Sequence, residues 1–312
     1  MDANFIPFEE SIAGKRTACE NKTSDIGNHT QNFVARKPVY DPSRLVVSEA
    51  VREQLDVLRS RMTNHDLLYR QWGLCDIDPM GRHTAFNLYG PPGTGKTMCV
   101  EVLAAEWGMP IIDVNYAEIE SKYVGDTGKN IVAAFAAAKE QNALLFFDEA
   151  DSILGKRMTS VTQAADQAVN VARAVMLKQL DLFDGVVAFA TNLARNFDSA
   201  FVRRIAVHIE IPLPDEKGRK EIAIRLTPDK LPFKDAISFD RLASSTEGFS
   251  GGDIRNVIVN AISILAMRNW KSMSKDEIAE EFLRQAEFVK KAKKSVGSTY
   301  DISENEEKED CI

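Results

Sequence analysis

Cysteine is scarce in this 312-residue chain, and its four copies stand far apart. Cys19, Cys75, Cys99 and Cys311 form no Cys-x-x-Cys pair, and no histidine lies near them at zinc-finger spacing. That excludes a disulfide framework or a zinc knuckle and fits a reducing, cytoplasmic compartment. Long apolar runs are absent too. The opening MDANFIPFEESIAGKRTACE has no continuous h-region, and no stretch approaches the ~18 uncharged apolar residues of a membrane span, so neither export nor anchoring is expected. Excess positive charge is missing: with a formal net charge of -7 and a pI near 5.3, there is no global pull towards nucleic acid or an anionic membrane, and protein partners are favoured. Neither a repeat at solenoid periods nor a His-Glu-x-x-His zinc-protease motif occurs.

What is present is an ordinary globular composition, 44% apolar and 27% charged, in a chain long enough for about two structural units. Residues 1–40 are rich in Asn, Ser, Thr and Lys with few periodic apolar positions, and read as a flexible arm in which Phe5, Ile6, Phe8 and Phe33 are either stray apolar side chains or a docking motif. Ser48 then looks like an N-cap, and Val51, Leu55, Leu58 and Met62 mark one face of a helix. From Phe86, short apolar runs (FNLYG, PIIDV, ALLFFDEA, VVAFAT) alternate with helical patterns over 96–107, 129–141 and about 162–180, which predicts a parallel sheet covered on both faces. Beyond Pro212-Leu213-Pro214 only helical patterns remain, at 216–226, 239–244, 251–268 and 274–294. The expected fold class is therefore α/β: a parallel sheet sandwiched by helices over 41–213, a separate all-helical unit over 214–298, and an acidic tail over 299–312.

The chemistry concentrates in two strand ends. Gly90, Pro91, Pro92, Gly93, Thr94, Gly95, Lys96 and Thr97 spell G-x-x-x-x-G-K-[ST] between a strand and a helix, with Met98 following. The glycines let backbone N–H groups turn onto phosphate oxygens, Lys96 is placed to span the β and γ phosphates, and Thr97 to ligate Mg²⁺. Further on, Leu144-Leu-Phe-Phe-Asp148-Glu149 delivers two carboxylates at a strand end: Asp148 is the candidate for the Mg²⁺ shell, and Glu149 for the base that polarises the attacking water. Taken alone, two acids ending a strand are commonly surface or capping residues; the preceding loop motif reverses that reading.

With these motifs, and with Phe147-Asp-Glu-Ala-Asp151, the chain resembles the AAA ATPases in the narrow sense from about Asp41 to Asn269. Together with the 90–97 loop, the resemblance implies a P-loop NTPase sheet over 41–213 followed by a small all-helical AAA lid over 214–298, implies ATP and Mg²⁺ as cofactors, and adds site residues. Asn192, in Ala190-Thr191-Asn192, stands where the family has its sensor-1 residue. Arg203 and Arg204, in Asp198-Ser-Ala-Phe-Val-Arg-Arg-Ile205, resemble the paired arginines of the katanin and spastin branch that reach the next subunit's ATP, with Ile205 replacing the usual Phe. Gly248-Phe-Ser250-Gly251-Gly252-Asp253-Ile254 is similar to the lid signature, with Gly252 in place of Ala and Arg255 as a sensor-2-like residue; Ser250 and Asp253 equally fit a helix capping box. Gly73, in Trp72-Gly73-Leu74, falls in the region that lies beside the adenine. Lys122, Tyr123, Val124 and Gly125 resemble the pore loop with which unfoldases of the family grip an extended polypeptide.

The resemblance thus implies a homohexameric ring that remodels protein clients, possibly delivered by an adaptor, in a layout similar to small bacterial ATPases acting on HORMA-domain partners. Two other readings stay open at this level. One is an AAA ATPase acting on nucleic-acid complexes, for which only Lys290-Lys291-x-Lys293-Lys294 speaks. The other is a nucleotide-dependent scaffold with little turnover, against which Lys96, Glu149 and Arg203 argue.

Overall fold

The computed structural model describes residues 33–77, 84–115, 126–155, 164–192 and 197–297. Lys122, Tyr123, Val124 and Gly125 lie outside the described residues, as do most of the arm and the acidic tail.

Strands β1 Thr84–Tyr89, β2 Ile111–Asn115, β3 Leu144–Asp148, β4 Val186–Thr191 and β5 Val207–Glu210 form one parallel sheet in the order β2-β3-β4-β1-β5. The described helices are α1 Glu49–Thr63, α2 Lys96–Glu106, α3 Asp126–Glu140, α4 Asp151–Leu154, α5 Ala164–Leu182, α6 Ser199–Val202, α7 Glu216–Leu226, α8 Phe239–Ser245, α9 Gly251–Met267 and α10 Lys275–Gly297. The inner strands β3 and β4 are buried along almost their whole length, which is why they read as unbroken apolar runs rather than alternating ones. On one face Phe147 and Phe189 stack at 5.3 Å and pack with Phe135 of α3, Met176 of α5 and Phe201 of α6. On the other, Phe86, Leu88 and Phe146 meet Leu55 and Leu58 of α1 and Val100 and Leu103 of α2. Each fully buried Phe or Leu contributes about 1.5–3 kcal/mol, so these layers hold the sheet edge rigid.

The chain enters β2 from β1 by crossing to the far edge, while β5 adds on the opposite side of β1. Such a reversal opens a crevice at the carboxyl ends of the central strands, and both strand-end motifs face it. Helices α7 to α10 form the lid around their own core of Phe249, Val257, Ile258 and Phe282. Ser250 accepts from the Asp253 amide while the Asp253 carboxylate accepts from the Ser250 amide, so the capping box expected at α9 is formed.

One difference from the composition-based reading stands out at 33–40. These residues belong to the expected arm, yet they form a strap along the outer edge of β2. The Arg36 and Ile111 backbones exchange two hydrogen bonds of 2.8 Å, and the Gln141 side chain bonds both Ala35 N–H and Phe33 C=O. Glu101 of α2, only 4% exposed, accepts from the Arg36 guanidinium at 2.7 Å and from the amides of Val39 and Tyr40. Farther along, Arg225 of α7 donates to the carbonyls of Ser43 and Leu45, so the strap also touches the lid. Order here comes from partners distant in sequence, which local composition does not report.

Burial pushes the Glu101 carboxyl up, but Arg36 and the two amides outweigh it and hold it below the usual range. A depressed carboxyl stabilises the fold above its unfolded value of about 4.3, and that contribution is lost as pH falls through the lower folded value. Glu101→Ala is expected to cost about 1.5–3 kcal/mol and to speed amide exchange at Val39 and Tyr40 while leaving β1 protected. Unchanged exchange at those two amides, by hydrogen-exchange mass spectrometry or NMR, would refute this role.

Candidate functional site

β1 ends where the backbone must turn sharply. Gly90 has φ 142, and a Cβ there would collide with the carbonyl of Ile211 as the chain leaves β5. The loop then wraps back to start α2 at Lys96, a residue only 8% exposed. Its Nζ donates to the carbonyls of Gly90 at 2.8 Å and Pro91 at 2.9 Å, and to Asn192 Oδ1 at 2.9 Å. Thr94 Oγ1 adds a bond to the same Pro91 carbonyl, while Pro92 is exposed and Met98 half-buried at the start of α2. Burial lowers the Lys96 pKa; Asp148 and Asp151 pull it back up. A partly desolvated ammonium gains from meeting anionic oxygens.

Thr97 Oγ1 donates to Asp148 Oδ2 at 2.9 Å, which brings a hydroxyl from α2 and a carboxylate from β3 into one spot. Two hard oxygen donors suit Mg²⁺, which usually keeps few protein ligands and completes its shell with water and phosphate. Among the described residues no group of three or more His, Cys, Asp or Glu side chains is gathered, so the donor set fits that metal better than one needing a protein cage. Asp148 Oδ1 accepts from the Glu149 amide at 2.9 Å. Glu149 itself begins the turn after β3, with φ 51. A non-glycine residue in that region carries strain, and here it falls on an exposed carboxylate at the end of β3, next to Asp148.

Asp151, quoted above only as part of a motif, has a definite task. Its carboxylate accepts from the Thr191 hydroxyl and from the Asn192 amide at 3.0 Å, fixing the end of β4 so that the Asn192 side chain reaches Lys96. Asn115, too, was missed: it pairs in register with Asp148 across β2 and β3. Only the ladder places it there; nothing local in DVNY marks it.

The paired arginines differ. Arg204 is clamped by Asp181 of α5 through two bonds, at 2.7 and 3.0 Å, and donates to the Ala200 carbonyl, and Asp181 holds its pKa above the ordinary value. Arg203, the C-cap of α6, is exposed; its backbone N–H bonds Ser199, but its side chain makes no hydrogen bond or ion pair among the described residues. Arg255 is likewise exposed in the first turn of α9. Gly73 adopts φ 74 between two short turns, and among the described residues no hydrogen bond joins its segment to the 90–97 loop.

The lid meets the loop at one point. The Gly252 amide, free at the start of α9, donates to the Gly93 carbonyl at 3.0 Å. Gly248-Phe-Ser-Gly-Gly252 also spells the Gly-x-Ser-x-Gly of a hydrolase elbow. No strand leads into it, and Ser250, 5% exposed, is committed to the α9 cap, so it is no nucleophile.

Residues 86–213 match the family described as "ATPase family associated with various cellular activities (AAA)", and residues 236–280 match the AAA+ lid domain. The chain is 34% identical over 233 residues to the proteasome-activating nucleotidase of Saccharolobus solfataricus, an overlap of 72% of this chain and 57% of that protein. It is 32% identical over 252 residues to the 26S proteasome subunit RPT4 of Saccharomyces cerevisiae, covering 78% and 55% of the two chains. With the katanin p60 ATPase-containing subunit A1 of Strongylocentrotus purpuratus it shares 33% over 232 residues, covering 67% and 44%. The chain thus spans about half the length of the curated relatives it matches.

The Gly93 and Gly252 contact predicts opposite outcomes for two alanine variants. A Cβ on Gly93, at φ 75, would stand 2.7 Å from Ser250 Oγ, whereas one on Gly252 meets its nearest atom at an ordinary 3.5 Å. Gly93→Ala should destabilise by about 1–3 kcal/mol, and Gly252→Ala should be neutral or stabilising by up to about 1 kcal/mol. Urea denaturation of both variants decides; equal effects would mean the lid does not rest on the loop.

Proposed function

The chain belongs to the AAA ATPase family, and on that premise we propose that it is an ATP hydrolase that works as a homohexameric ring and remodels protein clients. The observation that carries this reading is the meeting, at one sheet edge and within hydrogen-bonding distance, of Lys96, Asn192, Thr97 and Asp148, with strained Glu149 beside them.

In this reading the 90–97 loop holds the phosphates. Lys96 exchanges its carbonyl partners for β- and γ-phosphate oxygens, and Asn192, steadied by Asp151, orients the terminal phosphate. Thr97 and Asp148 would hold Mg²⁺, which supplies charge neutralisation on the phosphates. Glu149 accepts the proton of the attacking water. Arg203, whose exposed side chain has no partner among the described residues, serves the neighbour's site, whereas Arg204, clamped by Asp181, buttresses the turn that presents it. That division refines the expectation that both arginines reach across.

The remodelling half rests on Lys122-Tyr123-Val124-Gly125 and on the relatives. Two of the three named above are named for the proteasome, and this supports a protein client over a nucleic acid. Lid closure about the Gly93–Gly252 contact would link hydrolysis to movement of Tyr123. No described helix is long and apolar enough to cross a membrane.

ATPase rate against protein concentration tests the reading. Wild type should gain specific activity with concentration, Glu149→Gln should lose about 10²–10⁴-fold and Arg203→Ala about 10³-fold or more. A mixture of these two variants should recover turnover, and Tyr123→Ala should keep ATPase activity yet release captured client. Full specific activity at high dilution, or an Arg203→Ala protein as fast as wild type, would exclude the shared site.

A further inference from the structure

Two lid groups reach across to the sheet-bearing half of the chain, and both end on backbone carbonyls. One is the Gly252 amide on Gly93. The other is Arg225, in the last turn of α7, whose Nη1 donates to the Leu45 carbonyl at 2.9 Å and to the Ser43 carbonyl. Its Nε is taken by Glu221, one turn earlier on the same helix, at 2.8 Å, so the guanidinium is held facing the strap. A planar fork with several N–H donors suits this double duty, which an ammonium cannot reproduce.

The acceptors are mounted on the phosphate-loop helix. Asp41 caps the short turn Pro42–Arg44 by accepting from the Ser43 amide at 2.9 Å, and that turn lies against α2. Leu45 and Val47 pack on the cluster that contains Val100 and Leu103 of α2, and Glu101 of the same helix grips the amides of Val39 and Tyr40. The carbonyls that Arg225 meets are therefore carried by the helix that begins with Lys96 and Thr97. On the lid side, α7 packs against α9, Ala223 sharing one core with Val257 and Ile258, and α9 starts at the Gly252 contact. The chain itself makes the remaining connection after β5, where the Ile211 amide bonds the Tyr89 carbonyl at 2.7 Å. A body held at two places still turns about the line joining them; the Arg225 contact is the hold that removes this freedom.

We propose that Arg225 is a positioning residue for nucleotide: it latches the lid to the strap on α2, sets the lid's orientation over the 90–97 loop, and so governs how fast nucleotide leaves. The inference rests on the nucleotide reading of that loop. Arg225 is exposed, and bonds of this kind add little to global stability. That suits a contact which opens and closes in each cycle.

Arg225→Ala should leave the melting temperature nearly unchanged and release a fluorescent ADP analogue about 3- to 10-fold faster in stopped flow. Arg225→Lys, which cannot hold Glu221 and both carbonyls at once, should fall between that variant and wild type. Glu221→Ala keeps the donor but frees the guanidinium; it should speed release about twofold, and adding it to Arg225→Ala should change nothing further. A second readout needs no nucleotide. Hydrogen exchange at the Gly252 amide, on a different helix from Arg225, should accelerate by a similar factor in Arg225→Ala, whereas a mere surface brace would alter exchange only near 43–45 and 225. In a chain that binds the analogue, a wild-type value for either readout overturns the proposal, and so does a lowered melting temperature with both readouts unmoved. A wild-type chain that binds no ADP analogue overturns the nucleotide reading instead, and exchange at Gly252 still decides whether Arg225 holds the lid.

Discussion

Lys96 is a buried residue, and the hydrogen bonds of its ammonium go to the carbonyls of Gly90 and Pro91 and to Asn192 at the end of β4. A buried cation with three oriented acceptors acts as a pin between loop and sheet. Breaking any one acceptor leaves a desolvated charge poorly compensated, so the loop, the end of β4 and the acids of β3 are held in one geometry. Asp151 continues the pin by anchoring Thr191 and the Asn192 backbone, and Asp148 continues it by engaging Thr97. The strain at Glu149 is sustainable because its neighbours on both sides are fixed in this way, Asp148 by Thr97 and Ala150 by the hydrogen bond its N–H donates to the Ala190 carbonyl.

Around that pin the contacts become progressively lighter. The lid meets the loop through a backbone hydrogen bond, and glycine at position 93 is what lets Ser250 approach. The lid's own end of the contact is braced more firmly: Lys293 of α10 pairs with Asp253 at 2.6 Å and lies over the Phe249 ring. A rigid lid resting on a rigid loop through a slender contact is the arrangement expected of a hinge that responds to what the loop holds.

Much of this was legible from residue order. The apolar runs marked the buried strands, the Gly-rich string marked the loop, and Ser250 with Asp253 marked the start of α9, because each of these depends on spacing within a few residues. Features set by distant partners were not legible. Glu101 and Gln141 convert polar residues 33–40 into an ordered strap, Asp181 decides which of two adjacent arginines is restrained, and Asp151 gains its task only once β4 lies beside β3. Asn87, buried with neither side-chain polar atom hydrogen-bonded, hid within an apolar run whose neighbours made the strand easy to recognise.

The strap has a mechanical meaning. It runs along β2 and is fastened at intervals, by Gln141, by the Arg36 bridge and by Glu101, before Arg225 catches it at the lid. Tension applied from the N-terminal side therefore loads several fastenings together in shear, instead of peeling them one after another. Force entering there is delivered to the sheet edge, to the helix that begins with Lys96, and to the lid at once, so a load on the N-terminal segment acts on the same parts that frame the 90–97 loop.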